Sequence, residues 1–222
     1  MARDLETVSA RLRTELGLGE PYADPGVGAF GLHNAVYAIA DTFLEVVSPT
    51  QPDTAAGRYL DNRGDGGYMV IFQLDDLAAA RDRAAGLGVR TVWQLDLADI
   101  SGTHLHPADT RGAIVSLDRA DPPGSWRWGG PDWTGRTGTG APGRLLGVTI
   151  GVPDPDDAAA RWGEILGVRP DGDRLPLDGS WVAFEDASGA DERLTQIHLE
   201  VPEEVRRGRD ALAIAGATLR LS

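Results

Sequence analysis

One pattern occurs four times along this chain of 222 residues: an apolar strand or its remnant, a short acidic turn and an alanine-rich amphipathic helix. The clearest copy has a strand at 145–152, followed by a turn that contains Asp154 and a helix that ends at Gly167. Asp154 can cap this helix, Pro155 suits its first position, and Gly167 suits the position after its last residue. The recurrence predicts a protein built from repeated β-α-β modules.

The other copies differ in how complete they are. A second copy starts with strand 68–74, and a third starts with strand 195–201 and is predicted to continue as a helix up to Gly216. The N-terminal copy starts at its acidic turn, residues 3–6, so its leading strand is missing. A missing strand leaves an edge that can pair with another chain. We expect a strand from a dimer partner, the C-terminal strand 218–221 or residues encoded upstream to fill it.

A segment rich in Gly, Pro and Trp separates two parts of the chain. It has no strand or helix periodicity, so we interpret it as a linker. The predicted domains are 1–120 and 144–222, joined by the linker 121–143. Three linker tryptophans are too apolar for a freely solvated tether, and we expect them to dock on a domain face or cover a pocket: Trp126, Trp128 and Trp133.

The charge of the chain limits its partners. The net charge is −13, and all 21 basic residues are arginines. Such a surface repels nucleic-acid phosphates and anionic lipids, so neither partner is expected. The acidity either keeps the protein soluble or attracts a cationic ligand, and both interpretations remain open. Without a cysteine, a membrane-length apolar stretch or an apolar N-terminal signal, the chain is expected to be cytoplasmic.

Two segments of the first part resemble a known family. Gly-Leu-His-Asn at 31–34 and Thr-Phe-Leu-Glu-Val-Val-Ser-Pro at 42–49 resemble the Gly-Thr-His-Asn segment and the Tyr-Leu-Glu-Leu strand of a branch of the glyoxalase-like, or vicinal oxygen chelate, superfamily. The turns at 3–6 and 152–156 and the segment 106–112 are similar to other parts of its modules. The resemblance implies an α+β fold in which βαβββ modules form curved mixed sheets around clefts.

Superfamily enzymes typically hold a divalent metal with His and Glu side chains, and the resemblance places these positions in the chain. Glu45 falls where the first carboxylate is expected, and we assign it as the catalytic residue, unless it faces solvent at a strand edge. Ser116 stands where a second glutamate is expected, and Gly147 where a histidine is expected. The usual site is therefore incomplete, although His33, Glu45 and His106 form an alternative ligand set.

Other histidines also lie at strand positions where they could bind a ligand. His104 and His106 alternate along one strand, and His198 and Glu200 alternate along another. Such pairs either contact an ion or form ordinary hydrogen-bonded pairs.

Two functions are consistent with these features. The first is a ligand-binding module with a degenerate metal site, similar to the bleomycin-resistance members that sequester antibiotics. The second is a divalent-metal-dependent lyase, isomerase or dioxygenase acting on a small oxygen-chelating substrate; a purely structural interaction domain is a third, less specific alternative. The residues require no particular cofactor, and whether a divalent metal ion is bound is left open. A homodimer would close the edge left by the missing strand. The predicted ligand-binding residues are His33, Asn34, Tyr37, Phe43, Trp93 and Ser116.

Overall fold

The computed structural model describes residues 1–136, 138, 141–187, 189 and 192–222. The helices are α1 (Leu5–Leu16), α2 (Ala55–Arg63), α3 (Leu77–Gly86), α4 (Pro107–Thr110), α5 (Pro155–Leu166) and α6 (Glu203–Arg206). The strands are β1 (Leu32–Ile39), β2 (Thr42–Pro49), β3 (Met69–Gln73), β4 (Thr91–Asp96), β5 (Ile100–Leu105), β6 (Ile114–Ala120), β7 (Arg144–Val152), β8 (Arg174–Pro176), β9 (Trp181–Asp186), β10 (Arg193–Glu200), β11 (Ala211–Ile214) and β12 (Ala217–Leu221).

The chain packs as two compact units, each assembled from separate stretches of sequence. The first unit contains Met1–Gly67, Trp128–Leu146 and Gln196–Ser222, and the second contains Tyr68–Arg127 and Gly147–Thr195. These units differ from the predicted domains 1–120 and 144–222, because strands from the two ends of the chain share one core. The predicted linker 121–143 is divided between the units, and its residues 137, 139 and 140 lie outside the described part.

The first unit is organised around α1. Asp4 caps this helix by accepting a hydrogen bond from the Thr7 amide, and Gly17 ends it in the left-handed conformation that glycine adopts without strain. The buried stripe of α1 packs against the β1–β2 hairpin and against strands from the C-terminal end of the chain. This core includes Val8, Leu12, Leu16, Tyr37, Ile39, Leu44, Val46, Leu199, Leu219 and Leu221.

The backbone just before α1 bonds to β2. The Ala2 amide donates to the Val47 carbonyl at 2.9 Å, and the Ser48 hydroxyl donates to the Ala2 carbonyl. The C-terminal strand β12 pairs with β10 in parallel and with β11 in antiparallel orientation, within its own module. The third repeat also departs from prediction: α6 ends at Arg206, and β11 occupies residues that were expected to be helical.

The second unit contains two strand groups and the helices α3, α4 and α5. In the first group the strand order is β3-β6-β5-β4, with β3 and β6 parallel and the other pairs antiparallel. In the second group β9 pairs with β7 in parallel and with β8 in antiparallel orientation. Trp162 of α5 packs edge-on between Phe72 and Phe184, with ring-centroid distances of 5.9 and 5.3 Å. Mixed sheets with few helices confirm the α+β fold class that the resemblance implied.

The internal repeat is visible in the hydrogen bonds at the start of each helix. Asp4, Asp76 and Asp154 each accept a bond from the backbone amide three residues later. The Ala2 amide, two residues before the cap Asp4, donates to the Val47 carbonyl. The Leu74 amide, two residues before the cap Asp76, donates to the Asp118 carbonyl. This common register makes Val47 equivalent to Asp118, and therefore Glu45 equivalent to Ser116.

Candidate functional site

Glu45 lies on the face of the β1–β2 hairpin that points away from α1. Its strand partner is Val36, and Phe43 and Val47 share its side of β2 because side chains alternate along a strand. The opposite side of β2 carries Leu44 and Val46, which are buried in the α1 core. We call the surface formed by Asn34, Phe43 and Glu45 the Glu45 face. Glu45 is partly buried there, so it is neither sealed in the core nor fully solvated.

Asn34 holds Glu45 in place. Its Nδ2 donates a 2.6 Å hydrogen bond to Oε1 of Glu45, and its Oδ1 accepts a 2.8 Å bond from the Asp24 backbone amide. The Asp24 side chain in turn accepts a bond from the Gly26 amide. Asn34 is only 5% exposed, so its amide is enclosed as well as bonded at both ends.

The surroundings of Glu45 disfavour its negative charge. Burial raises the pKa of its carboxyl group above the ordinary value, the hydrogen bond from Asn34 lowers it in part, and the nearby negative charge of Asp24 raises it further. The charge of the Met1 ammonium group opposes this rise. A carboxyl group with a raised pKa is suited to exchanging a proton or to pairing with a cation.

Aromatic residues from the predicted linker lie against the Glu45 face. Trp133 packs edge-on against Phe43, with ring centroids 5.1 Å apart. A Cβ atom at Gly129 would lie 2.5 Å from Cε1 of Phe43, so glycine is needed for this close approach. The Arg136 guanidinium lies 5.0 Å from the centre of the Tyr22 ring. The expectation that linker tryptophans dock on a domain face therefore holds for Trp133.

Two other predicted residues of the first unit lie on the opposite side of the hairpin. His33 pairs with Ser48, shares the strand face of Tyr37, and is exposed at the end of β1. Tyr37 is 1% exposed, and its hydroxyl contacts Ser9 of α1. Burial raises the pKa of the Tyr37 hydroxyl. Because alternate residues face opposite sides, neither side chain projects from the Glu45 face.

The remaining predicted residues lie in the second unit. Nδ1 of His106 accepts a 3.1 Å bond from the Ala108 amide, so His106 caps α4. The Trp93 ring packs at a tilt of 38° against the His104 ring, with centroids 4.3 Å apart, and burial lowers the pKa of His104 to about 4. Ser116 is fully buried and donates a hydrogen bond to Asp118.

The predicted metal ligands have different local surroundings. His33 and Glu45 project from opposite faces of the hairpin, and Nδ1 of His106 is engaged by backbone. At Gly147, a Cβ atom would lie 2.4 Å from the Trp181 ring, so a ligating side chain does not fit there. Among the described residues, no cluster of three His, Cys, Asp or Glu side chains could hold a metal ion. The three-ligand set thus remains a prediction.

Two acidic residues near these positions were not predicted from the sequence. Asp118 alternates with Ser116 on β6, and strand periodicity could have found it. Asp24 approaches Asn34 because Tyr22 pairs with Val36 across an isolated antiparallel bridge, for which the sequence gives no comparable signal.

Comparisons with known proteins agree with this fold. The model of the family described as glyoxalase-like domain matches residues 1–166. An ethylmalonyl-CoA/methylmalonyl-CoA epimerase from Cereibacter sphaeroides is 27% identical over 125 residues, which cover 52% of this chain and 90% of the relative.

Two solved structures are also similar. A mutant of 4-hydroxymandelate synthase from Streptomyces coelicolor has a TM-score of 0.68 at 15% identity, covering 93% of this chain and 71% of that chain. A Streptomyces coelicolor methylmalonyl-CoA epimerase in complex with 2-nitronate-propionyl-CoA has a TM-score of 0.48 at 24% identity, covering 54% of this chain and 91% of that chain. Within the described residues, no helix is both long and apolar enough to cross a membrane. The repeated modules, the mixed sheets and the family match together place this chain in the glyoxalase-like domain family of the vicinal oxygen chelate superfamily.

Proposed function

We propose that this protein binds a small organic cation on the Glu45 face, through a carboxylate and aromatic rings and without a complete metal centre. The observation that carries the proposal is the placement of Glu45, whose charge is disfavoured by burial and by Asp24. A bound cation would stabilise the ionised carboxylate and so offset both effects.

The surroundings of Glu45 suit such a ligand. Phe43 lies on the same side of β2 as Glu45, and Trp133 packs against Phe43. A cation over an aromatic ring gains about 0.5–2 kcal/mol. The net charge of −13 favours the approach of cations over anions. An aromatic amine combines both chemical features.

A second candidate is a divalent-metal-dependent enzyme acting on a small oxygen-chelating substrate. It is favoured by the relative from Cereibacter sphaeroides, which is named as an epimerase of ethylmalonyl-CoA and methylmalonyl-CoA. This function would need metal ligands in addition to Glu45, because His33 lies on the other face of the hairpin.

Calorimetric titration of the untagged protein with benzylamine tests the first candidate. We expect binding near neutral pH, and a loss of about tenfold or more in affinity in Glu45→Gln, since a charge-assisted hydrogen bond is roughly twice as strong as a neutral one. Trp133→Ala should weaken binding by about 2- to 30-fold through the lost cation–π contact. Glu164→Gln, which changes an exposed glutamate of α5, is the matched control.

The outcomes separate the two candidates. Equal binding of benzylamine by the protein and by Glu45→Gln would exclude the cation site. Elemental analysis after incubation with manganese, cobalt or zinc provides the second arm. Near-stoichiometric metal that disappears in Glu45→Ala, together with epimerisation of methylmalonyl-CoA, would favour the metalloenzyme instead.

A further inference from the structure

The hydrogen bonds around Asn34 indicate which oxygen of Glu45 meets the ligand. We propose that Asn34 is a positioning residue that commits Oε1 of Glu45 and leaves Oε2 to accept a hydrogen bond from a protonated primary or secondary amine. This inference rests on the proposed cation site and specifies its ligand class: the cation must carry an N–H donor, which a quaternary ammonium ion lacks.

The orientation of the Asn34 amide is fixed by its two partners. Its oxygen accepts the Asp24 backbone N–H at 2.8 Å, and its nitrogen donates to Glu45 at 2.6 Å. Rotating the amide by half a turn would place its NH₂ group against the N–H of Asp24 and its oxygen against the carboxylate of Glu45. Two donors or two acceptors would then face each other, so only the observed orientation forms both bonds.

The second oxygen of Glu45 remains available. Within the described part of the chain, Oε2 has no hydrogen-bond partner, and it does not belong to the side-chain atoms that are both buried and unsatisfied. It therefore reaches solvent although Glu45 as a whole is partly buried. An ionised carboxylate oxygen in this position is an acceptor, and the group that satisfies it must be a donor.

The charge around the site selects among donors. Asp24 adds a second negative charge near Glu45, because its backbone amide bonds to the same Asn34 side chain that bonds to Glu45. A neutral hydroxyl group supplies a hydrogen bond without a charge, and a quaternary ammonium ion supplies a charge without a hydrogen bond. A protonated amine supplies both, and a hydrogen bond between ionised partners is the stronger kind.

Three probes of similar shape separate these contributions: benzylamine, benzyltrimethylammonium and benzyl alcohol. We expect the protein to bind benzylamine about tenfold or more tightly than either of the others, because each of these lacks one of the two contributions. In Asn34→Ala the preference for benzylamine over benzyltrimethylammonium should shrink, since Glu45 is no longer held with Oε2 outward. Asn62→Ala, at an exposed position of α2, is the matched control.

A ¹³C NMR titration of the Glu45 carboxyl group gives a readout that a merely structural role would not change. Asn34→Ala should raise the pKa of Glu45 further, because the hydrogen bond that lowers it is lost. Asp24→Asn should lower the pKa of Glu45, because it removes a repelling charge while keeping an acceptor for the Gly26 amide and the backbone N–H for Asn34. This second variant preserves the test if Asn34→Ala does not fold.

The results distinguish failure of the inference from failure of the proposed function. Equal affinities for benzylamine and benzyltrimethylammonium, both lost in Glu45→Gln, would keep the cation site and overturn the N–H requirement. Unchanged selectivity and an unchanged Glu45 pKa in Asn34→Ala would overturn the positioning role. Binding of no probe, or binding that Glu45→Gln leaves intact, would overturn the cation site and the inference that depends on it.

Discussion

Asn34 and Glu45 are joined across the β1–β2 hairpin by a 2.6 Å hydrogen bond between Nδ2 and Oε1, on the side away from α1. They are diagonal neighbours, since Asn34 is paired with Val47 and Glu45 with Val36. The same hairpin uses its other side, with Tyr37 and Leu44, to build the core of the first unit. Polar chemistry and core packing are thus separated on two faces of one pair of strands.

Because burial disfavours the negative charge of Glu45, we expect Glu45→Gln to stabilise the protein at high pH. The folded-state pKa of Glu45 is raised above its ordinary value of 4.5, so its contribution to stability is present below that pH and is lost as the pH rises through the folded-state pKa. Glutamine does not titrate and can still accept the bond from Asn34. Urea unfolding at a series of pH values should show the gain of the variant over the parent increasing with pH.

Glu164→Gln, at an exposed site, reports the general effect of removing one negative charge. A gain equal to that of this control at every pH would mean that the Glu45 charge is not disfavoured.

Protonation of His104 should make the free energy of unfolding depend on pH with the opposite sign. Burial lowers its folded-state pKa from 6.5 to about 4, so its contribution to stability is fully present above 6.5 and is lost as the pH falls towards 4. The loss is at most about 3 kcal/mol, since each pKa unit corresponds to about 1.4 kcal/mol and His104 is partly exposed. Unfolding free energies of the protein and of His104→Gln should diverge over this interval. Parallel profiles would show that the imidazole ionises as readily in the folded as in the unfolded state.

Trp162→Phe should destabilise the second unit. Nε1 of Trp162 donates a hydrogen bond to the Thr110 carbonyl, and its ring packs between Phe72 and Phe184. Phenylalanine keeps part of the packing but leaves that carbonyl without its donor, which costs about 1–3 kcal/mol. The free energy of unfolding in urea measures the effect. Val92→Ala, at a side chain that is 52% exposed, should change it by less than about 0.5 kcal/mol, and an equally small change in Trp162→Phe would contradict the prediction.

Arg83 stabilises the C-terminal end of α5. Its Nε and a terminal nitrogen donate bonds of 3.0 Å to the carbonyls of Ile165 and Leu166, which have no partner within the helix. We expect Arg83→Ala to lower the free energy of unfolding by about 1.5–3 kcal/mol, the usual effect of losing hydrogen bonds to a charged group. Arg119→Ala removes an exposed arginine from β6 and serves as the control. If both variants unfold at the same denaturant concentration, Arg83 has no such role.

The sequence was sufficient where the interactions are local. The cap at Asp154 and the glycine that ends α5 were predicted, and the structure confirms them. The helix predicted up to Gly216 in the third repeat was wrong. Arg207 adopts a left-handed conformation after α6, and residues 211–214 then pair with β12. Pairing with the adjacent strand thus prevailed over a weak helical pattern there.

At the candidate site the sequence determined less. It pointed to Glu45 and Asn34, whose contact is now explained by the hairpin register. It also grouped His33 with them, although strand alternation places His33 on the other face. It did not find Asp24, since that residue reaches Asn34 only through the pairing of Tyr22 with Val36.

The sequence by itself thus determined the repeated modules, their capped helices, the acidic charge and the family. Only the tertiary structure decided that the two ends of the chain share one core, that Asn34 is committed to Oε1 of Glu45, and that His33 and Glu45 project from opposite faces of one hairpin. The physical reason is the range of the interactions. Caps and amphipathic stripes depend on residues a few positions apart, whereas strand pairing and burial depend on which distant segments the whole chain brings together.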